Sequence, residues 1–242
     1  MDGGASRIDQ QLITFADGLQ ACPYLPSQVA RMPLMVSRHA ISPSDLDQLL
    51  SCGYRRSGNY FYRTRCPACQ ECVPVRVRAG DFPVRPSFRR ILNRADRELE
   101  ILYGEPMAGP ERLELFNHHR HERSLGEHSA TVEDLESFLV ESCVESIEVQ
   151  FRFEGSLAAV AIADLGQSSV NAVYTYFHTD FKRFSPGTLA VLEFIRLAKQ
   201  TKRTFVYLGL FVAECRHLNY KSRFWPQERR LGEQWLRFDT AD

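Results

Sequence analysis

No stretch of this chain stays apolar for the roughly 20 residues that a bilayer-spanning helix needs. The opening residues MDGGASRIDQQ have neither the basic start nor the apolar run of a secretory leader. These two absences argue against a membrane protein and make the cytoplasm the expected address. Internal repeats and low-complexity tracts are missing too, as is any Ser-His-Asp or Cys-His pattern of nucleophilic catalysis. Seven cysteines are an odd number in a chain of 242 residues, which is long enough to bury a core without disulfide staples. At a reducing address, thiols or metal ligands are the better readings of them. What is present is 44% hydrophobic residues, enough for one generous core or two modest ones in a globular protein.

Net charge is also lacking, since 30 Lys and Arg balance 30 Asp and Glu. The balance is an average over blocks. Residues 31–97 hold 13 Arg, five acids and no Lys, residues 98–155 hold 14 acids against four Arg, and residues 201–237 return to eight Lys and Arg against three Glu. A basic block is the electrostatic footprint that a polyanion requires. Arg, more than Lys, has the planar fork that grips phosphate or carboxylate at two points. The alternative is that the acidic block neutralises the basic ones within the fold.

Ser42, an acidic first turn and Gly53 bracket a short helix. Residues 54–65 read as two strands around a Ser57-Gly58-Asn59 turn. The segment RCPACQECVP, residues 65–74, then spaces three cysteines three apart and leads into an alternating strand over 73–77. An Arg-rich helix is expected over 87–102, with a boundary near Arg97 between an Arg- and Cys-rich domain (1–97) and a second domain (98–242). The second domain begins with helices over 111–123 and 132–142, the latter capped by Thr131 with Asp134 three residues on. His118, His119 and His121 on the first of these helices are expected on a solvated face. Strands over 146–153, 157–165 and 170–177 follow, joined by turns at Glu154-Gly155 and Gly166-Gln167. Ser185-Pro186-Gly187-Thr188 opens a further helix, and 204–208 is another strand. A three-strand meander, a loop-capped helix and a further strand is the order of the Gcn5-related acyltransferase fold, in which helix-opening amides hold donor phosphates. The expected class is therefore α+β, an acyltransferase-like C-terminal domain joined to a smaller Arg- and Cys-rich α+β domain.

Several short runs carry a more specific likeness. Cys22-Pro23-Tyr24-Leu25-Pro26, Ala30-Arg31-Met32-Pro33-Leu34, residues 53–58 (GYRRSG), residues 66–76 and Phe88-Arg89-Arg90 resemble the N-terminal region of the aminoacyl-tRNA-protein transferases. Ala172-Val173-Tyr174, Ser185-x-Gly187-Thr188, Tyr207-Leu208-Gly209 and Tyr220-Lys221-x-x-Phe224-x-Pro226 match the C-terminal region of the same family. In length and in its three-cysteine motif the chain looks like the family's bacterial branch. That resemblance implies transfer of leucine from Leu-tRNA to the α-amine of proteins that begin with Asp or Glu, marking them for degradation. The implied partners are the aminoacyl-tRNA and those proteins, with no membrane involved. Transfer of arginine from Arg-tRNA to the same acceptors is the alternative within the family. From other classes, a coenzyme A-dependent N-acyltransferase would need a Gly-x-Gly pyrophosphate loop, whereas RFSPGT has one glycine; a zinc-ribbon RNA-binding module would not need the second half. The chain departs from the family's habit at His178-Thr179, where Asp-Pro is usual, and at Pro186, where Leu is usual.

An aminoacyl ester is already activated, and an α-amine has a reference pKa of about 7.7–8.0, so the implied chemistry asks for positioning more than for a cofactor. Asp164, which matches the family's strand-end acid, is the first candidate for a base and Glu214 the second, with Tyr174 expected in the cleft. Ser185, Gly187 and Thr188 would present helix-opening N–H groups and hydroxyls to the tRNA 3′ end. Tyr220 would stack on its terminal adenine beside Lys221, and Arg90 and Arg94 would track the phosphate backbone. Arg55 and Arg56 are candidates for the acceptor's carboxylate or, equally, for tRNA phosphate. Cys66, Cys69 and Cys72 supply three of the four ligands that zinc requires, and likeness to the eukaryotic arginyltransferases makes Cys22 the fourth. A ferredoxin-type iron–sulfur arrangement needs another cysteine three residues past Cys72, which the chain lacks. A bound zinc or iron–sulfur centre and a reduced, metal-free thiol cluster both stay open.

Overall fold

The computed structural model describes residues 8–125 and 128–240; residues 1–7, part of the stretch read above for a leader, lie outside it. In chain order its main elements are β1 (Leu12–Ala16), β2 (Leu19–Ala21), β3 (Val29–Arg31), β4 (Leu34–Ser37), α1 (Pro43–Ser51), β5 (Arg55–Ser57), β6 (Tyr60–Tyr62), β7 (Val73–Arg78), α2 (Pro86–Glu98) and β8 (Glu100–Gly104). There follow α3 (Pro110–Glu122), α4 (Val132–Leu135), β9 (Ser146–Phe153), β10 (Ser156–Leu165), β11 (Ser169–Phe177), α5 (Pro186–Gln200), β12 (Phe205–Phe211), β13 (Gln227–Leu231) and β14 (Gln234–Phe238). Among the described residues no helix is long and apolar enough to cross a membrane.

Local chemistry sets the element ends. Ser42 Oγ accepts the Asp45 N–H while the Asp45 carboxylate accepts the Ser42 N–H, a closed capping box with Pro43 at the first helical position. Thr131 and Asp134 do the same for α4. Eight strands join in the order β14-β13-β7-β12-β11-β10-β9-β8, beside a four-stranded sheet β1-β4-β6-β5 and a β2-β3 pair. In β10, Ala159, Ala161 and Ala163 enter the core formed with α2 and α5, while Val160 and Ile162 enter the core formed with α3 and α4. A strand covered on both faces must be apolar throughout, which is why this segment reads as a run and not as an alternation. Each large side chain buried from α5, Phe194 among them, contributes about 1.5–3 kcal/mol.

The boundary expected near Arg97 does not separate two cores. β7, from the N-terminal side, pairs with β12 and β13 inside the large sheet, and Phe88 and Ala95 of α2 share a core with α5. The helix expected over 87–102 stops at Glu98: Leu99 is extended and β8 pairs with β9, so sheet pairing overrides the helical pattern. The helix expected over 132–142 becomes a π turn, Glu136–Val140, after α4. The last expected strand continues to Phe211. The early strands β1 to β3 and the C-terminal β13 and β14 are short and largely exposed or charged, β4 has only four residues, and periodicity does not announce them.

One feature of the sheet positions everything else. β11 and β12 run parallel but pair only over residues 169–171 with 205–207, although both continue well beyond. The sheet is therefore open between them. Register shifts at Val173, against β10, and at Leu208, against β7, fall at that opening.

Candidate active site

Residues 172–175 of β11 and 208–210 of β12, on either side of the opening, line a cavity of about 1200 Å³. Ser185, Gly187 and Thr188 reach it from the start of α5, Tyr24 and Tyr62 from the N-terminal part, and Tyr220 and Lys221 from the segment after β12. The volume exceeds the roughly 300–1,000 Å³ of an ordinary small-molecule pocket, leaving room for parts of two substrates.

Positive charge gathers at Gly209. Its φ is +93°, and a Cβ there would lie 3.0 Å from Arg55 Nη2 and 3.2 Å from Lys221 Nζ. Only glycine combines that backbone conformation with so close an approach. Arg55 donates from Nη1 to Asn171 Oδ1 and from Nη2 to the Ala172 carbonyl, both at 2.7 Å, and also hydrogen-bonds Tyr62. Lys221 Nζ donates to the Leu210 carbonyl at 2.7 Å. Among the described residues neither cation has a carboxylate in ion-pair contact. Burial, and then the Arg55 charge, bring the Lys221 ammonium down to about 7, against weaker opposing effects of Cys215 and Cys72. Burial also lowers Arg55, whose guanidinium nevertheless stays charged.

Asp164 holds this wall from behind. It is 0% exposed and lies outside the cavity lining. Its carboxylate accepts from Arg56 Nε at 2.8 Å, Ser146 Oγ at 2.9 Å and Asn171 Nδ2 at 2.8 Å. Asn171 is thereby turned so that its oxygen receives Arg55. The strong contacts of this expected base are thus all inside the protein. Glu214 is exposed and outside the lining. Arg56 borders the cavity, but its guanidinium is ion-paired with Asp164 at 2.8 Å and donates to the Gly58 carbonyl. Of the two arginines named from sequence, Arg55 alone is without a carboxylate.

Other expected residues do converge. Tyr174 lines the cavity, and burial raises its phenol. Ser185 is left-handed (φ 51°, ψ 57°) and its hydroxyl makes no capping bond to α5, unlike an ordinary N-cap. Tyr220 lies edge-on to Phe224 at the cavity. Arg90 and Arg94 are exposed on α2 outside the lining; Arg94 Nη1 donates to the Arg183 carbonyl at 2.7 Å, next to Lys182, which does line it. Sequence reasoning missed His119, expected in solvent but only 2% exposed. Its Nδ1 accepts the Phe177 N–H at 3.2 Å, and burial, followed by the Arg123 charge, lowers the imidazole to about 4. Asn171 was missed as well, although an Asn between Val170 and Ala172 within a strand is a legible sign of a buried partner.

Cys22, Cys69 and Cys72 pack with Cys215 around Leu25 and Val212, and Cys66 is near enough to act on Cys72. Burial and then the neighbouring thiols push Cys72 up to about 12. Cys215, far away in sequence, is the member that spacing could not announce. Among the described residues no group of three or more His, Cys, Asp or Glu is placed to hold a metal ion. Cys22, Cys66, Cys69 and Cys72 are all free of disulfides.

Sequence models for the N and C termini of arginine-tRNA-protein transferase match residues 20–90 and 111–231. An aspartate/glutamate leucyltransferase of Marinobacter nauticus is 35% identical over 233 residues, 95% of this chain and 97% of that protein. One from Methylobacillus flagellatus is 33% identical, covering 93% of this chain and 92% of its own. The solved structure of FemX superposes with a TM-score of 0.52 at 7% identity, over 93% of this chain and 89% of that one, a likeness of fold. The α+β class and the order of meander, helix and further strand expected from the sequence are those found, in a fold that FemX shares.

Proposed function

The chain belongs to the arginine-tRNA-protein transferase family, aminoacyl-tRNA-dependent enzymes that act on proteins, and we propose that it transfers leucine from Leu-tRNA to the α-amine of proteins beginning with Asp or Glu. The leucine so added is a new first residue and serves as a degradation signal. The observation that carries the acceptor half of this reading is Arg55, braced by Asn171 and Asp164 yet facing the cavity without a carboxylate of its own. An acid-selective pocket needs such a fixed cation. The donor half rests on the curated relatives and on the rest of the cavity lining, where Ser185, Gly187 and Thr188 meet the tRNA 3′ end, Tyr220 and Tyr174 flank its terminal nucleoside, and Lys182, with Arg94 and Arg90 beyond it, continues toward the phosphate backbone.

In the reaction the acceptor nitrogen attacks the ester carbonyl carbon. The C–N bond forms, the bond to the ribose oxygen breaks, and the amine proton ends on the ribose hydroxyl. With a reference pKa of about 7.7–8.0 the amine is partly neutral at the working pH, and holding it against the ester supplies much of the rate. Transfer of labelled leucine or arginine from charged tRNA to peptides differing only at the first residue tests this. Leucine is expected to appear on Asp- and Glu-starting peptides; transfer from Arg-tRNA alone would make the protein an arginyltransferase.

A further inference from the structure

Two other buried cations of this fold are matched by carboxylates, Arg112 by Glu148 at 2.6 Å and Arg56 by Asp164 at 2.8 Å. A charge withdrawn from water without such a partner is costly. Arg55 and Lys221, 8% and 6% exposed, are unlike them. Their heads converge on Gly209, whose missing side chain leaves the space between them open. Arg55 is held by neutral acceptors and Lys221 by one carbonyl, so the ammonium keeps two further donors. The carboxylates of the cavity lining, Asp17 and Glu122, are both exposed, and Asp17 is taken by Arg31 at 2.6 Å. The anion that would match this pair is therefore brought by a substrate.

We propose that Lys221 is a specificity residue for the acceptor, its ammonium and the Arg55 guanidinium together binding the side-chain carboxylate of the acceptor's first residue. The proposal rests on the aminoacyl-transfer reading and moves Lys221 from the nucleic-acid side of the site to the protein side. A two-cation receptor explains why β12 keeps glycine at 209 and why Asp164 acts on Arg55 through an asparagine: a direct Asp164–Arg55 pair would fill the receptor with the protein's own carboxylate. A tRNA phosphate offers similar anionic chemistry, and the experiment separates the two sources.

The full-length protein is titrated calorimetrically, without tRNA, with peptides beginning with Asp or Asn. The same peptides are then compared in transfer assays with Leu-tRNA, for the wild type, Lys221→Met and Lys221→Arg. Lys221→Met is expected to lower kcat/KM for the Asp peptide roughly 10- to 100-fold, mainly through KM. The Asn peptide and the salt dependence of tRNA binding should be nearly unchanged, and Lys221→Arg should keep much of the preference. A lost salt dependence with intact Asp-over-Asn preference would assign the pair to a phosphate and overturn the proposal, as would equal losses on both peptides in a folded variant. If Lys221→Met does not fold, Lys221→Gln, which retains a donor for the Leu210 carbonyl, reads the same ratio. Should no aminoacyl transfer occur at all, the broader reading fails separately, and calorimetry still decides: an Asp-over-Asn affinity difference that Lys221→Met leaves intact overturns the proposal.

Discussion

Arg56 and Arg55 are adjacent on β5, where successive side chains leave the strand on opposite sides. Arg56 meets Asp164 at 2.8 Å with both side chains at zero exposure, whereas Arg55 and the nearby Lys221 have carbonyl, amide and phenol partners and no carboxylate. Both arginines border the cavity, but the first is matched by a carboxylate and the second is not. The difference separates charge that organises the fold from charge held in reserve for a ligand, and the two should respond oppositely to mutation.

Removing the partner in the matched region should have the largest effect. Asp164→Ala leaves Arg56 buried and unpaired and is expected to cost about 3–5 kcal/mol of stability, seen as a lower urea midpoint with an unchanged slope. In the unmatched region, removing charge should stabilise. The value of about 7 for Lys221 lies below the 10.5 of an ordinary lysine. Between those pH values the unfolded chain holds a proton that the native state does not, so the wild type gains stability as pH rises from 7 to 10.5 and carries the full penalty below 7. Lys221→Met should abolish that rise and be more stable than the wild type at pH 6, by on the order of a few kcal/mol less the lost hydrogen bond; urea unfolding at pH 6 and pH 10 reads both.

Smaller effects sharpen the contrast. Arg55→Leu should lower kcat/KM for Asp-starting peptides by about 2–3 kcal/mol in transition-state terms, with little change in transfer to Asn-starting ones. Gly209→Ala must adopt a left-handed φ and crowd both cations, for about 1–2 kcal/mol in stability and a weaker Asp preference, measured by thermal melting and by peptide transfer. Arg90→Ala with Arg94→Ala should lower the slope of log affinity for tRNA against log salt by about two and leave peptide preference alone.

Much of the fold was legible where signals are local. The meander of β9 to β11 is written in short apolar-rich segments and the turn residues between them, α1 and α4 in their capping boxes, and the start of α5 in Ser-Pro-Gly-Thr. Pairings across the chain were not: nothing in the sequence of β7 says that it lies between β12 and β13, and β8 looks helical until β9 claims it. The site follows the same rule. Ser185, Gly187, Thr188, Tyr174, Tyr220, Lys221 and Arg55 were named and do line one cavity. Asp164 was named for its place at the end of a strand, but a carboxylate's use depends on what surrounds it, and Arg56, Ser146 and Asn171 come from distant or separate strands. For the same reason the two neighbouring arginines were indistinguishable in sequence, and His119 among polar neighbours gave no sign of burial.

The most direct test of an unmatched cation wall built for an acidic acceptor is the ratio of kcat/KM for one peptide beginning with Asp to that for the same peptide beginning with Asn, with Leu-tRNA as donor. The two differ only by the charge of nearly isosteric groups. A ratio of roughly 100 or more is expected for the wild type, falling toward one in Arg55→Leu. A wild-type ratio near one would contradict it.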